Sequence, residues 1–245
     1  MTTLFSHPRF LAVYSGILTI VFAVVVLAGF SESRQKHAFD EITAHRINIV
    51  EPDGTLRMVI SNKTEFPGII IKGKETPHPD RTTAGMLFFN DEGTENGGLI
   101  FGGSKDKQGK VTSYGHLSFD QYEQDQVFSI DAEQENGNRT SELRMIDEPD
   151  HPITQDIEAA GRIAKLPKDQ QEAAWKQFRA VTPHAETRIL LGRADDKSVA
   201  LRLKDEQGHD RLVIRVLSDG SPVVQFLDAK GNITSQLPAS SDTRQ

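Results

Sequence analysis

The sequence predicts a mainly β protein: antiparallel hairpin repeats arranged as a sandwich, a barrel or a curled meander of about a dozen strands, with an inserted helical hairpin and one N-terminal transmembrane helix. Three observations predict it. Apolar residues alternate with period two over most of the chain, and a strand-turn-strand template recurs along it. Phe10 to Phe30 forms an uncharged apolar run at the head of an otherwise polar sequence.

A helix over residues 10–30 would measure about 31 Å at about 1.5 Å per residue, close to the hydrocarbon thickness of a bilayer. A cleaved secretory signal has a basic n-region, an apolar core of about 7 to 15 residues and a small-x-small cleavage site. Here Arg9 is the only Lys or Arg ahead of the run, the run is longer than such a core, and Val26-Leu27-Ala28 is an imperfect site. The expectation is an uncleaved signal-anchor, with the lipid bilayer as the partner of residues 10–30, a tail over 1–9 and a linker over 31–43. Arg9 and the amino terminus nearly balance Arg34 and Lys36 across the span. The short leading tail favours an extracytoplasmic soluble part and a single-pass membrane localisation. Thr2 and the absence of cysteine exclude lipid anchors, and without cysteine there is no disulfide framework.

All 35 acidic residues and all but one of the 28 basic residues lie beyond the span, which leaves the remainder with a net charge of about −8. Nucleic acid is therefore not an expected partner, because no basic cluster exists to displace counterions. In Thr55-Leu56-Arg57-Met58-Val59-Ile60 and in Arg211 to Val216, every second residue is apolar, as in antiparallel strands with one buried and one wet face. Four segments share one template of strand, Asp or its equivalent, two free positions, Gly and strand. They are Ile47 to Ile60, Met86 to Leu99, Leu201 to Ile214 and Val224 to Leu237, with weaker relatives at Asp106-Lys107-Gln108-Gly109 and Asn136-Gly137. An Asp or Asn side chain accepts backbone N–H groups at the start of a type I turn, and glycine takes the positive-φ position that restores pairing.

Between Pro149 and Pro183 the period becomes helical. Ile153, Ile157, Ala160 and Ala164 form one stripe, Leu166-Pro167 interrupts it, and Trp175, Phe178 and Val181 continue a second. This helical hairpin, over 149–183, separates a larger β-region (44–148) from a smaller one (184–238), and a Ser-rich tail follows over 239–245. Phe66-Pro67-Gly68 and Pro77-His78-Pro79-Asp80 read as loops that break up the first β-region.

The densest polar segment runs from His116 to Gln126. His116, Ser118 and Asp120 share one face of a strand, where side chains two apart stand parallel about 7 Å from each other and do not converge as a nucleophile and base. Asp120, Glu123 and Asp125 are the candidate catalytic carboxylates, of the residue type that glycoside hydrolysis uses in pairs, with His116 beside them; the bland alternative is a solvated hairpin end. Asp147, Asp150 and His151, with Glu148, form the tightest oxygen-rich group and are the candidate metal ligands. The favoured account of that group is a helix N-terminus capped by Asp150 and its neighbours, with Pro152 in the first turn. No cofactor is expected. Gly97-Gly98-Leu99-Ile100-Phe101-Gly102-Gly103-Ser104-Lys105 lacks the spacing of a phosphate loop and reads as a buried strand whose glycines allow close backbone approach.

Arg46 to Arg57, Gly97 to Gly103, Leu117 to Tyr122 and Asp125-Gln126-Val127 together resemble a group of uncharacterised bacterial proteins that carry an N-terminal membrane or signal segment. The resemblance covers roughly residues 42 to 155. It implies a bacterial source and no mechanism. The expected role is a membrane-tethered, non-enzymatic binding or scaffold protein of the cell envelope, with an envelope protein or glycan as partner and self-association through free sheet edges. The alternative is an envelope hydrolase acting on a glycan-type polymer through its acidic residues.

Overall fold

The computed structural model describes residues 8–29, 38–78 and 81–239, with side chains left out at 27–29, and the chain divides into two compact units, 1–43 and 44–245. In the first unit, one helix, α1 (Pro8–Gly29), covers most of the expected span, and Pro8–Val26 is long and apolar enough to cross a membrane by length and composition. Residues 1–7 of the expected tail, 31–37 of the linker, Pro79-Asp80 and 240–245 lie outside the described residues, whereas Pro8 and Arg9 of the expected tail belong to α1.

In the second unit the open alternatives resolve to a meander. Twelve strands form one antiparallel sheet: β1 (Arg46–Val50), β2 (Leu56–Ser61), β5 (Ala84–Phe89), β6 (Glu95–Lys105), β7 (Val111–Asp120), β8 (Gln126–Glu135), β9 (Asn138–Asp147), β10 (Glu186–Arg193), β11 (Val199–Lys204), β12 (Asp210–Val216), β13 (Pro222–Leu227) and β14 (Ile233–Leu237). They lie side by side in chain order, so β1 and β14 remain as edges and no barrel closes. Two short strands, β3 (Ile69–Ile71) and β4 (Lys74–Thr76), form a separate hairpin between the two Pro-bearing loops.

The turn device is used more often than its sequence template indicates. Asn90, Asp106, Asp205 and Asp228 each accept two backbone N–H groups through Oδ1. Two further copies occur at Ala194 to Lys197 and Leu217 to Gly220. In the first of them Lys197 takes the left-handed position (φ 70°) that Gly93, Gly109, Gly208 and Gly231 hold in their turns, which hides that turn from a glycine-based template. The glycines of β6 lie inside an eleven-residue strand and do not end it. A Cβ on Gly97 would stand 2.3 Å from the carbonyl oxygen of Ser118, so close approach of β7 explains the residue.

Register alternation gives the sheet two unlike faces. One row runs across all twelve strands as Ile47, Ile60, Met86, Leu99, Leu117, Ile130, Leu143, Leu191, Leu201, Ile214, Val224 and Leu237, and every member is apolar. Two residues along, Phe119, Phe128, Met145, Ile189, Leu203, Leu212 and Phe226 form a parallel row on the same face. Gly97 in β6 leaves room for Phe88 and Phe119 to stack at 6.3 Å. The opposite face mixes Val59, Leu87, Ser118, Ser129, Arg144 and Arg202. There the β3–β4 hairpin brings Ile70 onto Val59, Leu87 and Phe89 to form the buried core cluster. Burial of each such side chain contributes about 1.5–3 kcal/mol.

The expected helical hairpin is present as α2 (Ile153–Ile163) and α3 (Lys168–Val181), broken at Leu166-Pro167. It is a pure insertion, since β9 and β10 on either side of it pair directly and both β-regions share one sheet. The buried residues of α2 are Ala159 and Ile163, one position away from the expected Ala160 and Ala164. The capping expectation is corrected: Pro152 occupies the N-cap without a side-chain bond, Asp150 is exposed, and the Ile153 N–H donates to the carbonyl of Glu123 at 2.8 Å.

Candidate functional site

The β7–β8 turn, Gln121 to Asp125, is the centre of the site. It closes with the same backbone bonds as the other turns, Gln121 N–H to Asp125 and Gln124 N–H to Gln121, but contains no glycine, and Glu123 is held at φ 52°. A non-glycine residue in the left-handed region is uncommon and persists where its surroundings hold it. Here they do. The Glu123 carbonyl receives the first N–H of α2, Lys72 reaches its carboxylate at 2.5 Å, and the buried Gln124 donates to the His151 carbonyl at 2.7 Å. Gln121 donates to the Pro149 carbonyl at 3.0 Å, so the turn is fastened to the segment that leads into α2.

Around this turn lies a cavity of about 550 Å³. Ile69, Ile71 and Lys72 of the small hairpin form one wall, Thr94, Glu95 and Arg81 a second, and Pro152 to Thr154 a third, with Asp120 and Glu123 to Gln126 between them. Arg81 donates to both carboxylate oxygens of Glu95, at 2.5 and 3.0 Å, and to the Gly68 carbonyl at 2.9 Å, which fixes the fork. Asp120 has no such partner. Its Oδ1 is shielded from solvent and makes no hydrogen bond. Burial first, then the charges of Glu95 and Asp125, push its carboxyl up to about 7, against the weaker opposing pull of Arg81. Next to it, Glu148 is likewise pushed up to about 7 by burial and by Asp125 and Asp156. Glu148 lines a second hollow of about 430 Å³ beneath Trp175 and Phe178, and Asp125 borders both cavities.

Of the residues singled out in the sequence, the fold brings Asp120, Glu123 and Asp125 to one cavity and leaves His116 elsewhere. His116 Nδ1 lies 2.5 Å from Asp131 Oδ1, and Ser129 donates to Asp131 Oδ2 at 2.7 Å. The carboxylate stands between the imidazole and the hydroxyl, so the histidine is not placed to take the serine proton, and Ser129 is buried. The candidate metal ligands also separate. Asp147 pairs with Arg188, His151 with Asp156 at 3.0 Å, and among the described residues no group of three or more His, Asp or Glu side chains could hold a metal. Sequence reasoning missed Arg81, Glu95, Thr94 and Lys72. Two local signals bear on them: Pro77-His78, where His78 lines the cavity and its carbonyl accepts the Arg81 N–H at 3.0 Å, and Phe66-Pro67-Gly68, where a Cβ on Gly68 would meet the Thr76 carbonyl at 2.1 Å, the close approach that folds the β3–β4 hairpin back.

The chain matches no protein-family model and no curated protein.

Proposed function

We propose that this is a membrane-tethered, non-enzymatic binding protein of the bacterial cell envelope, whose β7–β8 cavity takes a ligand rich in hydroxyl and amino groups, such as a cell-wall glycan fragment. Its support is the apolar helix α1 and a cavity in which the carboxylates Glu95, Asp120, Glu123 and Asp125 stand among apolar walls such as Ile69, Ile71 and Ile153. One observation carries the proposal. Asp120 Oδ1 lies out of solvent without a donor, and an unsatisfied buried acceptor costs about 1–3 kcal/mol that a ligand hydroxyl or ammonium would recover. Titration calorimetry of the full chain in detergent with soluble glycan fragments tests it: Asp120→Ala is expected to weaken binding at least tenfold with the strand circular dichroism intact. Equal affinity in the variant, or no heat from the parent, contradicts it.

A second reading, hydrolysis of the same polymer, is favoured by the same carboxyl. Asp120 at about 7 is protonated in part at neutral pH and suits a general acid, with Glu123 or Asp125 as base. Replacing each of the three by its amide and measuring polymer turnover separates the two. Turnover that falls in the Asp120 variant supports catalysis, and no turnover by the parent removes it.

A further inference from the structure

We propose that the apolar face of the meander is an interface between two copies of this chain. In the middle of the sheet, over β7, β8 and β10, the apolar face is the open one. On one face Ile130, Phe119 and Leu191 are 44%, 46% and 50% exposed, while on the other the side chains of Asp131 and His116 are 18% and 21% exposed. Apolar patches beyond several hundred Å² are rare on monomers and mark surfaces that another molecule covers.

The size and chemistry of the patch select the occupant. Strands lie about 4.8 Å apart, so twelve of them span about 53 Å; two apolar rows with their flanks are about 14 Å deep, giving about 700 Å² per copy. A pair would bury about 1,500 Å², within the range of about 1,200–2,000 Å² that stable complexes need. The twelve-strand row contains no charged side chain, so the partner must present an equally long uncharged stripe. A second copy related by a two-fold axis presents that stripe by construction. Two such sheets stack about 10 Å apart with their strands within about 30° of each other. An anionic lipid surface fits less well, because the second unit is acidic. The β3–β4 hairpin covers Val59 and Leu87 on the opposite face, so pairing leaves it and its cavity open.

The chain has no cysteine, which permits a direct test. Single cysteines are placed in the full chain at Ile130→Cys, Leu191→Cys and Ile214→Cys on the apolar face and at Glu133→Cys on the other. Each variant is reconstituted in neutral phosphatidylcholine vesicles and treated with a short bis-maleimide. At least one apolar-face position is expected to give a covalent dimer and Glu133→Cys none. On dilution of protein into lipid the yield should fall as labelling by a water-soluble maleimide rises. No dimer from any of the three positions, or equal dimer from Glu133→Cys, overturns the proposal. So do apolar-face cysteines that stay shielded at dilutions where no cross-link forms, since lipid then covers the face.

Discussion

Asp120→Asn should make the protein more stable at alkaline pH than at acidic pH relative to the parent, which is the reverse of what loss of a paired carboxylate does. The folded carboxyl is held up at about 7 from an ordinary 3.8, so the folded state keeps a proton that the unfolded chain releases. Between those values stability falls as pH rises, and above about 7 the loss is complete. From pH 5 to pH 8 the parent crosses about two pH units of this window. At 1.36 kcal/mol per unit that is about 2.7 kcal/mol, and because Asp120 as a whole is only partly buried the expectation is about 2 kcal/mol. Asparagine cannot ionise and is spared. Glu148, which is among the charges that raise Asp120, titrates in the same direction in both proteins. For a unit of this size the difference corresponds to about 4–8 °C in Tm. Thermal unfolding of both full chains by circular dichroism in one detergent should therefore show the gap between variant and parent widening by that amount from pH 5 to pH 8. A gap that is constant, or that narrows, refutes the assignment of a buried, unpaired Asp120.

Three further outcomes follow from the geometry. Gly97→Ala, at φ 127° with its new Cβ 2.3 Å from a carbonyl oxygen, should cost about 3 kcal/mol in denaturant unfolding, whereas Gly115→Ala, inside a strand with nothing within 4 Å of the added Cβ, should stabilise by about 0.5–1 kcal/mol. Arg81→Met leaves Glu95 without its two-pronged partner and should cost about 3 kcal/mol, with part of the loss recovered in Arg81→Met/Glu95→Leu. Asp228→Ala removes the acceptor of the Asn232 side-chain and backbone bonds that hold the Asp228 carboxyl below its ordinary range. The stability this carboxylate adds is present above the unfolded pKa and lost as pH falls, so the drop in Tm should be larger at pH 7 than at pH 2.

What the sequence discloses is what short-range physics fixes. The Asp-x-x-Gly turns are legible because both the carboxylate-to-amide bonds and the positive φ of Gly93 or Gly208 arise within five residues. The helical hairpin is legible for the same reason, although its buried positions shift by one because the contacts that choose them come from outside the helix. Asp120, Glu123 and Asp125 stand out as a dense polar run, yet nothing local shows that Asp120 lacks a donor. That depends on Glu95 and Arg81, delivered by β6 and by the loop ahead of β5. The first N–H of α2 donates to the Glu123 carbonyl, thirty residues back, a partner that the local carboxylates at Asp147 and Asp150 do not announce. The continuity of the apolar row across twelve strands depends on register, including the bulges at Ile49/Val50 and Phe119/Asp120, which alternation within single strands does not reveal.

The cavity beside the β7–β8 turn is where the functional account is decided. Hydrogen exchange of the full chain in lipid nanodiscs, with and without soluble cell-wall glycan fragments, reads it directly. Added protection confined to Ile69 to Lys72 and Tyr122 to Gln126 is the predicted result. Unchanged exchange there, or protection appearing instead along β10 to β14, would contradict the account.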